Sequence, residues 1–548
     1  MTISQNANKP LELDAVIVGA GFSGIYALHR LRDQLHVKVK ILEAGPPGAI
    51  GGVWYWNNYP GARVDMETPY YSFGNGFEEV WRTWNWSEEY ASQKEMNAYF
   101  QHVDKVMSVS KDCIFNARVK GAEFDVDTAR WTLQTEHGPT VVAKYIIPAT
   151  GLSSKQHVPE WKGIESFQGS IYYPSSWPSE GVDVKGKRVA IIGTGATGVQ
   201  IIQDWAKEAG ELFVFLRTPN PCLPMCQKKY DPAKQEQTKQ DVAKIFASFR
   251  DNGTMLKWEV PTKKYAEQTR EEWEKVLNEL YDIGGLGFWV ASTSDWAIDA
   301  ESNRFLYDFW ASKTRKRIRD PVKRDLLAPL EPAKPFGTKR ISLEQDYFEQ
   351  FNRPNVHVVD VKTDPIMEVR PRGIVTESNN LYEVDVIVIA TGYDAYVGGL
   401  FNLGIRDTSG VELRERWKNG VLSYLGVMVP GFPNLFIAYG AQTPAATTCA
   451  PMFIECQAGW IRDMIRKVEE TPDIKYVEVR PESAQAWRED TMALARDTLF
   501  VKATSWYNGA NIPGKPVEIL IHLGAYSQYK QRCIDSLGGD FERAFVVY

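Results

Sequence analysis

Two pairs of charged residues have the types and the neighbours that chemistry on a phosphate or a carbonyl requires. Lys339 and Arg340 are adjacent cations in the segment PFGTKR, which leads into a partly apolar helical stretch. Two such cations can hold a phosphate and stabilise a developing oxyanion. Arg63 and Asp65 are a second candidate pair, at the end of the aromatic segment GGVWYWNNYPGARVD. Taken alone, the first pair could be solvated, and the second could belong to an aromatic loop packed against a sheet.

A glycine motif near the N-terminus predicts the first element that would position a cofactor. Gly19, Gly21 and Gly24 form G-x-G-x-x-G between an apolar strand, predicted over 15–18, and a segment with helical spacing of apolar residues. These glycines permit a tight turn and a close approach of the backbone to a pyrophosphate at the helix N-terminus. The next strand ends at Glu43, nineteen residues after the last glycine. A carboxylate there accepts hydrogen bonds from a ribose 2′-OH, so we predict a dinucleotide with a free ribose, such as FAD.

The same arrangement recurs farther along the chain with one change of charge. Gly193, Gly195 and Gly198 follow a strand predicted over 189–192, and the next strand ends at Arg217. Arg217 lies nineteen residues after the last glycine, at the place that the acidic residue has in the first unit. A guanidinium suits a 2′-phosphate, so the second unit is predicted to bind NADPH. The alternative is that Arg217 is an ordinary surface arginine.

Two strands that end in Ala-Thr-Gly indicate how the units are arranged. They are predicted over 145–150 and 386–391, and their short apolar runs are typical of buried parallel strands. Because the second run lies far downstream of the second loop, we predict an α/β protein with a discontinuous FAD domain and an inserted NADP domain, both Rossmann-like. The predicted ranges are 1–154 for the first part of the FAD domain, 155–386 for the NADP domain with a helical subdomain over 222–330, and 387–548 for the second part of the FAD domain.

Composition and cysteine placement argue against several other classes of protein. The chain of 548 residues is 44% hydrophobic with a net charge of -6, which disfavours a nucleic-acid partner. Its six cysteines form no C-x-x-C pair and show no metal-ligand spacing with the seven histidines, so we expect no metal site and a reducing compartment. No apolar run reaches the ~18 residues of a membrane span, and the N-terminus lacks a signal-peptide pattern. We therefore expect a cytoplasmic enzyme with no membrane or protein partner.

Longer motifs make the chain resemble a known family. The residues that match its patterns are Gly51, Gly52, Trp54, Tyr59, Pro60, Gly61 and Asp65 in one motif, and Phe167, Gly169, Trp177 and Pro178 in the connector FQGSIYYPSSWP. With both nucleotide loops, FGTKR, ATGYD, FPNLF and SWYNGANIPGKP, the chain resembles the type I Baeyer–Villiger monooxygenases over nearly its whole length. Within that family it looks most like the phenylacetone and cyclohexanone monooxygenase group.

The resemblance implies an NADPH- and O2-dependent flavin monooxygenase. In such an enzyme NADPH reduces FAD, O2 then gives a C4a-peroxyflavin, and one oxygen atom is inserted next to a ketone carbonyl. The product is an ester or a lactone, and the expected partners are a small-molecule ketone and O2. The loop over 441–449 is expected to line the ketone pocket.

The resemblance also implies a role for individual residues. Arg340 matches the active-site arginine and Asp65 its carboxylate partner. Arg217 and Lys339 match contacts to the 2′-phosphate, and Trp506 matches a tryptophan that covers the bound nicotinamide nucleotide. The predicted FAD contacts are Gly19, Gly21, Phe22, Ser23, Gly24, Glu43, Gly52, Val53, Trp54, Asp65 and Tyr71. The predicted NADP contacts are Gly193, Thr194, Gly195, Ala196, Thr197, Gly198, Gln200, Arg217, Thr218, Lys339, Arg340 and Trp506.

The chain departs from the family pattern at Tyr173, where the family has a histidine. A tyrosine hydroxyl can form hydrogen bonds, but it is neither a cation nor a base near pH 7. If the histidine couples the domains structurally, Tyr173 can take its place. If the histidine has to be protonated, the handling of NADPH should differ. We favour the structural role.

Three other functions share parts of this pattern. A flavin-containing monooxygenase that oxidises amine nitrogen or thioether sulfur has both loops, but Trp177-Pro178, the 51–65 motif and Arg340 argue against it. A flavin disulfide reductase needs a redox cysteine pair, which the sequence lacks. A non-enzymatic flavoprotein that senses redox state would leave Arg340 and Asp65 unexplained.

Overall fold

A computed structural model describes residues 9–251, 255–444 and 448–548. The strands are β1 (Leu11–Val18), β2 (Val39–Leu42), β3 (Cys113–Ile114), β4 (Val119–Asp125), β5 (Arg130–Thr135), β6 (Val141–Pro148), β7 (Ser170–Tyr172), β8 (Arg188–Ile192), β9 (Glu211–Leu216), β10 (Cys222–Pro224), β11 (Ser342–Glu344), β12 (Val356–Asp360), β13 (Ile366–Arg370), β14 (Gly373–Thr376), β15 (Leu381–Glu383), β16 (Val386–Ile389), β17 (Val477–Val479) and β18 (Phe545–Val547).

The helices alternate with these strands and form most of the last hundred residues. They are α1 (Phe22–Leu28), α2 (Val53–Trp56), α3 (Glu78–Thr83), α4 (Gln93–Met107), α5 (Ala196–Trp205), α6 (Pro232–Asp251), α7 (Arg270–Ile283), α8 (Gly287–Val290), α9 (Ala300–Arg315), α10 (Pro321–Leu327), α11 (Tyr347–Gln350), α12 (Gly398–Phe401), α13 (Leu413–Arg416), α14 (Ala450–Glu470), α15 (Pro481–Arg496), α16 (Tyr526–Leu537) and α17 (Phe541–Ala544). A π-helix, His29–Gln34, continues α1. None of the helices in the described part of the chain has both the length and the apolar character needed to cross a membrane.

The first sheet carries the first glycine loop and has the strand order β3-β2-β1-β6-β5-β4. The central strand β1 pairs in parallel with β2 and β6 and is buried toward its carboxyl end. A segment far downstream in the sequence also pairs with this sheet. The N–H of Phe436 donates to the carbonyl of Ile146 at 3.0 Å, and the N–H of Ala438 donates to that of Pro148 at 2.9 Å. The discontinuous FAD domain is therefore confirmed.

The second sheet carries the second glycine loop and repeats the same plan. Its order is β12-β9-β8-β16-β7, and every pair is parallel. Strand β16 belongs here, because Val386–Ile389 pairs with Val189–Ile192. The predicted end of the NADP domain at 386 is therefore too early, and the domain extends past Ile389. Hydrogen bonds to β8 place this strand in the second sheet, and a sequence pattern does not reveal such pairing.

Helices α6 to α10 occupy most of the region 222–330 that was predicted to be helical. Local capping explains where several begin: the hydroxyl of Thr269 accepts from the N–H of Glu272 at 3.3 Å, and the Glu272 carboxylate accepts from the N–H of Thr269 at 2.8 Å. Asp299 caps α9 in a similar way. Strand β10 pairs in parallel with β11. The helical region is thereby tied to the segment that carries Lys339 and Arg340, immediately before β11.

The connector FQGSIYYPSSWP contributes an edge strand and also contacts both domains. Strand β7 lies beside β16, and the two prolines follow it, so the sheet loses no hydrogen bond to them. Trp177 is buried, and its ring centroid lies 5.4 Å from that of Trp205 in α5. The same ring lies 6.5 Å from that of Tyr59 in the 51–65 motif. Trp177 is therefore packed between the two units that bear the glycine loops.

The surroundings of Tyr173 predict that its hydroxyl group can be removed with little effect. Its ring packs against the core between the second sheet and β13–β15, and its hydroxyl has no hydrogen-bond partner among the described residues. We therefore expect Tyr173→Phe to leave the ratio of product formed to NADPH consumed within about twofold of the wild-type value, as for changes that break no contact. Tyr173→His, which restores the family residue, is the matched comparison. A large increase in uncoupled NADPH consumption in Tyr173→Phe would show that the hydroxyl has a chemical role.

Candidate active site

Arg340 and Asp65, far apart in sequence, form a bidentate ion pair. Arg340 Nε donates to Asp65 Oδ2 at 2.5 Å, and Nη2 donates to Oδ1 at 2.9 Å. The side chains are 19% and 32% exposed, so the pair is accessible on one side only. Burial opposes the charge on Arg340, but the Asp65 carboxylate outweighs it and raises the pKa of the guanidinium above its ordinary value. The positive charge is therefore fixed in place and in protonation state.

Arg63, the other cation of the aromatic segment, does not pair with Asp65. Its Nη1 donates to Glu88 Oε1 and to the carbonyl of Tyr90, both at 2.5 Å. The backbone of Arg63 forms an antiparallel β-bridge with that of Ser92, so the Arg63 side chain lies beside the segment that contains Glu88 and Tyr90. The charge pair suggested by the spacing of Arg63 and Asp65 is therefore replaced by two separate pairs.

Three tyrosines, of which Tyr439 and Tyr507 are buried and Tyr71 is partly buried, lie close enough to the Arg340–Asp65 pair to interact with it electrostatically. Burial raises the pKa of Tyr71, Tyr439 and Tyr507 above the ordinary value of a phenol. All three side chains are therefore neutral near pH 7 and add no negative charge beside the guanidinium. Tyr71 was among the predicted contacts, whereas Tyr439 and Tyr507 were missed. The position of Tyr507 next to Trp506 is the sequence signal that could have pointed to it.

A cavity of about 1050 Å³ joins the ion pair to the second glycine loop. The predicted site residues that line it are Trp54, Asp65, Tyr71, Gly193, Thr194, Gly195, Ala196, Thr197, Gln200, Arg217, Thr218, Lys339, Arg340 and Trp506. The predicted residues that do not line it are Gly19, Gly21, Phe22, Ser23, Gly24, Glu43, Gly52, Val53 and Gly198. The structure thus brings the catalytic candidates and most of the NADP candidates to one space, and places the first glycine loop elsewhere.

The second glycine loop has the shape that a pyrophosphate cradle needs. Gly193 has φ +109°, and a Cβ there would lie 2.4 Å from the carbonyl oxygen of Ala390. A Cβ on Gly198 would lie 2.1 Å from the Gly193 carbonyl oxygen. At Gly195 the nearest atom to a Cβ is Lys339 Nζ, at 3.7 Å. The loop is therefore packed tightly on its inner side and faces an ammonium group on its open side, which fits a bound phosphate.

Cationic side chains continue from this loop along the cavity. Arg217 and Thr218 are exposed at the end of β9, and Thr194 Oγ1 donates to the Thr218 carbonyl at 3.2 Å. Burial lowers the pKa of Lys339, and Arg217 lowers it further, although Cys222 acts in the opposite direction. A buried ammonium group whose protonation is opposed by a neighbouring guanidinium indicates a site that favours an anion. A 2′-phosphate is an anion of the kind that such a site suits.

Trp506 lies on the cavity wall next to other aromatic rings. Its centroid is 5.8 Å from that of Tyr396 and 4.3 Å from that of Tyr507. The segment is held by Asn511, whose Nδ2 donates to the carbonyl of Tyr393 at 2.9 Å. The segment SWYNGANIPGKP is thereby tied to ATGYD, and Trp506 is held beside the cavity.

The first glycine loop fits the other dinucleotide. Gly19 has φ +109°, and a Cβ there would lie 2.8 Å from the Ala149 carbonyl oxygen, as in the second loop. Gly52 has φ +57°, and a Cβ there would lie 3.1 Å from the Cα of Gly21. Glu43 is buried, and its two carboxylate oxygens accept the N–H groups of Ala20 and Gly45, both at 2.9 Å. A carboxylate has about four acceptor sites, which leaves capacity for a ribose hydroxyl, so the residues fit FAD.

A single methyl group tests this assignment. In Gly24→Ala the new Cβ would lie 1.9 Å from the Gly19 carbonyl oxygen, so the loop has to move. We expect the purified variant to lose most of its bound flavin, measured as visible absorbance per protein, and to lose roughly 1–3 kcal/mol of stability as for other overpacked sites. Gly459→Ala in α14 is the control, since nothing lies within 4 Å of a Cβ there. Full flavin content in Gly24→Ala would contradict the assignment of this loop.

The 51–65 motif also contacts the second domain. Tyr59 Oη donates to Gln200 Oε1 at 3.1 Å, and Gln200 Nε2 donates to the Arg63 carbonyl at 3.1 Å. Gly61 has φ +73°, and a Cβ there would lie 2.4 Å from the Gln200 carbonyl oxygen. Gln200 was predicted as an NADP contact. It lines the cavity, but its amide joins helix α5 to the first domain.

The predicted pocket loop is described only in part. Residues 445–447 of the range 441–449 lie outside the described residues. Gln442 is buried, and its side-chain amide donates to the carbonyl of Val421 at 3.0 Å. Cys449 is buried directly before α14. The described ends of the loop are therefore packed into the protein.

Comparison with known proteins identifies the family. A family model described as pyridine nucleotide-disulphide oxidoreductase matches residues 13–248. Cyclopentanone 1,2-monooxygenase from Comamonas sp. (strain NCIMB 9872) is 38% identical over 509 residues, 93% of this chain and 91% of that protein. A Baeyer-Villiger monooxygenase from Pseudooceanicola batsensis (strain ATCC BAA-863 / DSM 15984 / KCTC 12145 / HTCC2597) is 36% identical over 520 residues, 95% of this chain and 93% of that protein. The chain belongs to the type I Baeyer–Villiger monooxygenases.

A solved structure extends this likeness to the cofactors. The crystal structure of OTEMO in complex with FAD and NADP superposes with a TM-score of 0.92 at 36% identity, covering 98% of this chain and 100% of that one. The protein described here is accordingly an FAD-dependent oxidoreductase that uses NADPH. Its six cysteines are free thiols, so the disulfide chemistry in the description of the matching family model has no counterpart here.

Proposed function

We propose that the enzyme inserts one atom of O2 next to the carbonyl of a small-molecule ketone, giving an ester or a lactone. The observation that carries this proposal is the bidentate Arg340–Asp65 pair on the wall of the cavity that also holds the second glycine loop. A fixed cation is what a reaction with a developing oxyanion requires. Oxidation of an amine or a thioether develops no such oxyanion on its substrate, so this pair favours the ketone reaction.

The protein contributes position, charge and exclusion of water. When bound, FAD supplies the reduction of O2 that makes an oxygen atom available to the substrate. Arg340 holds a positive charge at the cavity wall and stabilises negative charge on the substrate carbonyl oxygen. The phenols of Tyr439 and Tyr507 are buried near the ion pair, and the low dielectric of such surroundings strengthens the electrostatic effect of the guanidinium.

Asp65 positions Arg340. The two parallel hydrogen bonds fix the plane of the guanidinium, and the carboxylate moderates its net charge. Asp65 therefore acts through Arg340 rather than on the reacting atoms.

The second domain selects and retains the coenzyme. Arg217 and Lys339 bind the 2′-phosphate, the loop from Gly193 to Gly198 binds the pyrophosphate, and Trp506 covers the nicotinamide nucleotide. Their common cavity and the ammonium group over Gly195 support these roles. O2 as a reactant and a cytoplasmic location belong to the same proposal. The six free thiols support a reducing compartment.

The proposal is tested by following NADPH consumption together with products. Purified flavin-loaded enzyme is incubated with NADPH, air and one compound at a time from a panel of cyclic, linear and aryl ketones and one thioether. We expect at least one ketone to accelerate NADPH consumption and to yield an ester or lactone in near-stoichiometric amount. Conversion of the thioether alone would favour the amine- or sulfur-oxidising alternative.

A further inference from the structure

A second lysine, outside all the predicted contacts, lies on the same cavity as Arg217 and Lys339. Lys334 lines this cavity five residues before Lys339, in the turn that precedes β11. The turn is rigid: Asn303 Nδ2 donates to the Phe336 carbonyl at 2.9 Å, and Asn303 Oδ1 accepts the Phe336 N–H at 2.8 Å. Lys334 therefore keeps its place beside the phosphate-binding candidates.

The turn is also fixed from its other side. Gly337 has φ +74°, and a Cβ there would lie 2.4 Å from Trp289 Nε1. Thr338 Oγ1 donates to the Pro335 carbonyl at 2.8 Å. These contacts curl the chain between Lys334 and Lys339, so both lysines face the cavity rather than opposite sides of the loop.

Lys334 is a partly buried cation with no ion pair or hydrogen bond among the described residues. Burial, and then the charge of Lys339, lower the pKa of the Lys334 ammonium to about 7. The other acidic and basic side chains that line the cavity are Arg63, Asp65, His157, Arg217, Lys339, Arg340, Lys362 and Lys502, and the tyrosines on its wall are Tyr59, Tyr71 and Tyr393. The acidic member of this set, Asp65, is held by Arg340. The cavity therefore has excess positive charge around Lys334.

We propose that Lys334 is a third cation of the 2′-phosphate site, with Arg217 and Lys339, and that binding of NADP(H) is coupled to protonation of Lys334. This inference rests on the proposed NADP site. A dianionic 2′-phosphate removes the repulsion between the two ammonium groups, so the protonated form of Lys334 is favoured in the complex. The coenzyme therefore completes a site that is partly deprotonated near neutral pH when it is empty.

The sign of the pH effect follows from this linkage. Below about pH 7 Lys334 is already protonated, so the enzyme binds few additional protons when NADP+ binds. Above pH 7 the free enzyme has lost that proton and must regain it on binding, so affinity falls by up to about tenfold per pH unit. NAD+ has no 2′-phosphate, so its affinity is expected to lack this dependence. The measurements start at pH 7.0, because the second pKa of a phosphate lies near 6.

Titration calorimetry of the flavin-loaded enzyme tests the proposal without turnover. NADP+ and NAD+ are titrated at pH 7.0, 8.0 and 9.0 in two buffers of different ionisation enthalpy, which reports the protons taken up. For the wild type we expect proton uptake with NADP+ at pH 8.0. For Lys334→Gln we expect the uptake to vanish and affinity for NADP+ at pH 7.0 to fall roughly tenfold or more, as for loss of one charge-assisted hydrogen bond.

Three further variants make each outcome decisive. Lys185→Gln removes an exposed lysine of the same domain outside the cavity and should behave as wild type. Unchanged uptake in Lys334→Gln together with lost uptake in Lys339→Gln would overturn the proposal, because Lys339 would then be the titrating group. Equal losses for NAD+ and NADP+ in Lys334→Gln would overturn it too. If Arg217→Ala keeps its preference for NADP+, the NADP site itself is misassigned, which is a separate failure.

Discussion

Replacing Arg340 with alanine is expected to abolish ketone oxygenation while flavin reduction by NADPH continues. The variant lacks the fixed cation at the cavity wall, whereas the glycine loops and Arg217 are untouched. Loss of one oxyanion-stabilising group costs about 10²–10³-fold in turnover, so ester formation should fall at least that far. Anaerobic stopped-flow measurement of flavin bleaching by NADPH should give a rate within a few-fold of the wild-type rate.

Two comparisons make the Arg340 result interpretable. Arg340→Lys keeps the charge but lacks the planar fork that matches the Asp65 carboxylate, so it should recover only part of the activity. Thermal unfolding of each variant controls for loss of fold, because removing Arg340 leaves Asp65 without this partner. Slow flavin reduction with normal oxygenation of a pre-reduced enzyme would assign Arg340 to coenzyme binding rather than to the oxygenation step.

Arg217→Ala is expected to raise the KM for NADPH much more than the KM for NADH. Only NADPH has the 2′-phosphate, and a hydrogen bond to a charged group contributes about 1.5–3 kcal/mol. We therefore expect the KM for NADPH in steady-state assays to rise roughly 10- to 100-fold, with little change for NADH. Arg353→Ala is a matched control, since Arg353 is an exposed arginine of the same domain that does not line the cavity.

The Arg217 experiment has a clear contrary outcome. An equal increase in KM for NADPH and NADH would mean that Arg217 supports the cavity in general and does not contact the 2′-phosphate. Arg217 would then be the surface arginine that was the alternative interpretation of the sequence.

Local sequence patterns were sufficient for the elements that hold the cofactors. The strand before Gly19 and the strand before Gly193 were predicted from short apolar runs, and both are central strands with a parallel neighbour on each side. The glycines report a local requirement, since a Cβ at Gly24 or Gly198 would collide with the backbone. Such requirements are visible in one segment of sequence because they depend on neighbours close in the chain.

Long-range pairing was less accessible. Nothing in the spacing places Asp65 beside Arg340, and the resemblance to a family supplied that pair before the structure displayed it. Strand β16 was assigned to the wrong side of a domain boundary, because an Ala-Thr-Gly ending does not reveal which sheet the strand joins. Lys334 was overlooked for the same reason: its significance comes from a folded turn that brings it to the cavity of Arg217.

The position of oxygen from 18O2 in the organic product tests most directly whether the enzyme inserts oxygen next to a ketone carbonyl. Purified yellow enzyme is incubated with NADPH, 18O2 and a ketone that stimulates NADPH consumption, and the product is fragmented by mass spectrometry. We expect one 18O atom between the carbonyl carbon and the migrated carbon of an ester or lactone. An unlabelled ketone with label only in hydrogen peroxide or water, or label found on the sulfur of a competing thioether and never in an ester, would contradict it.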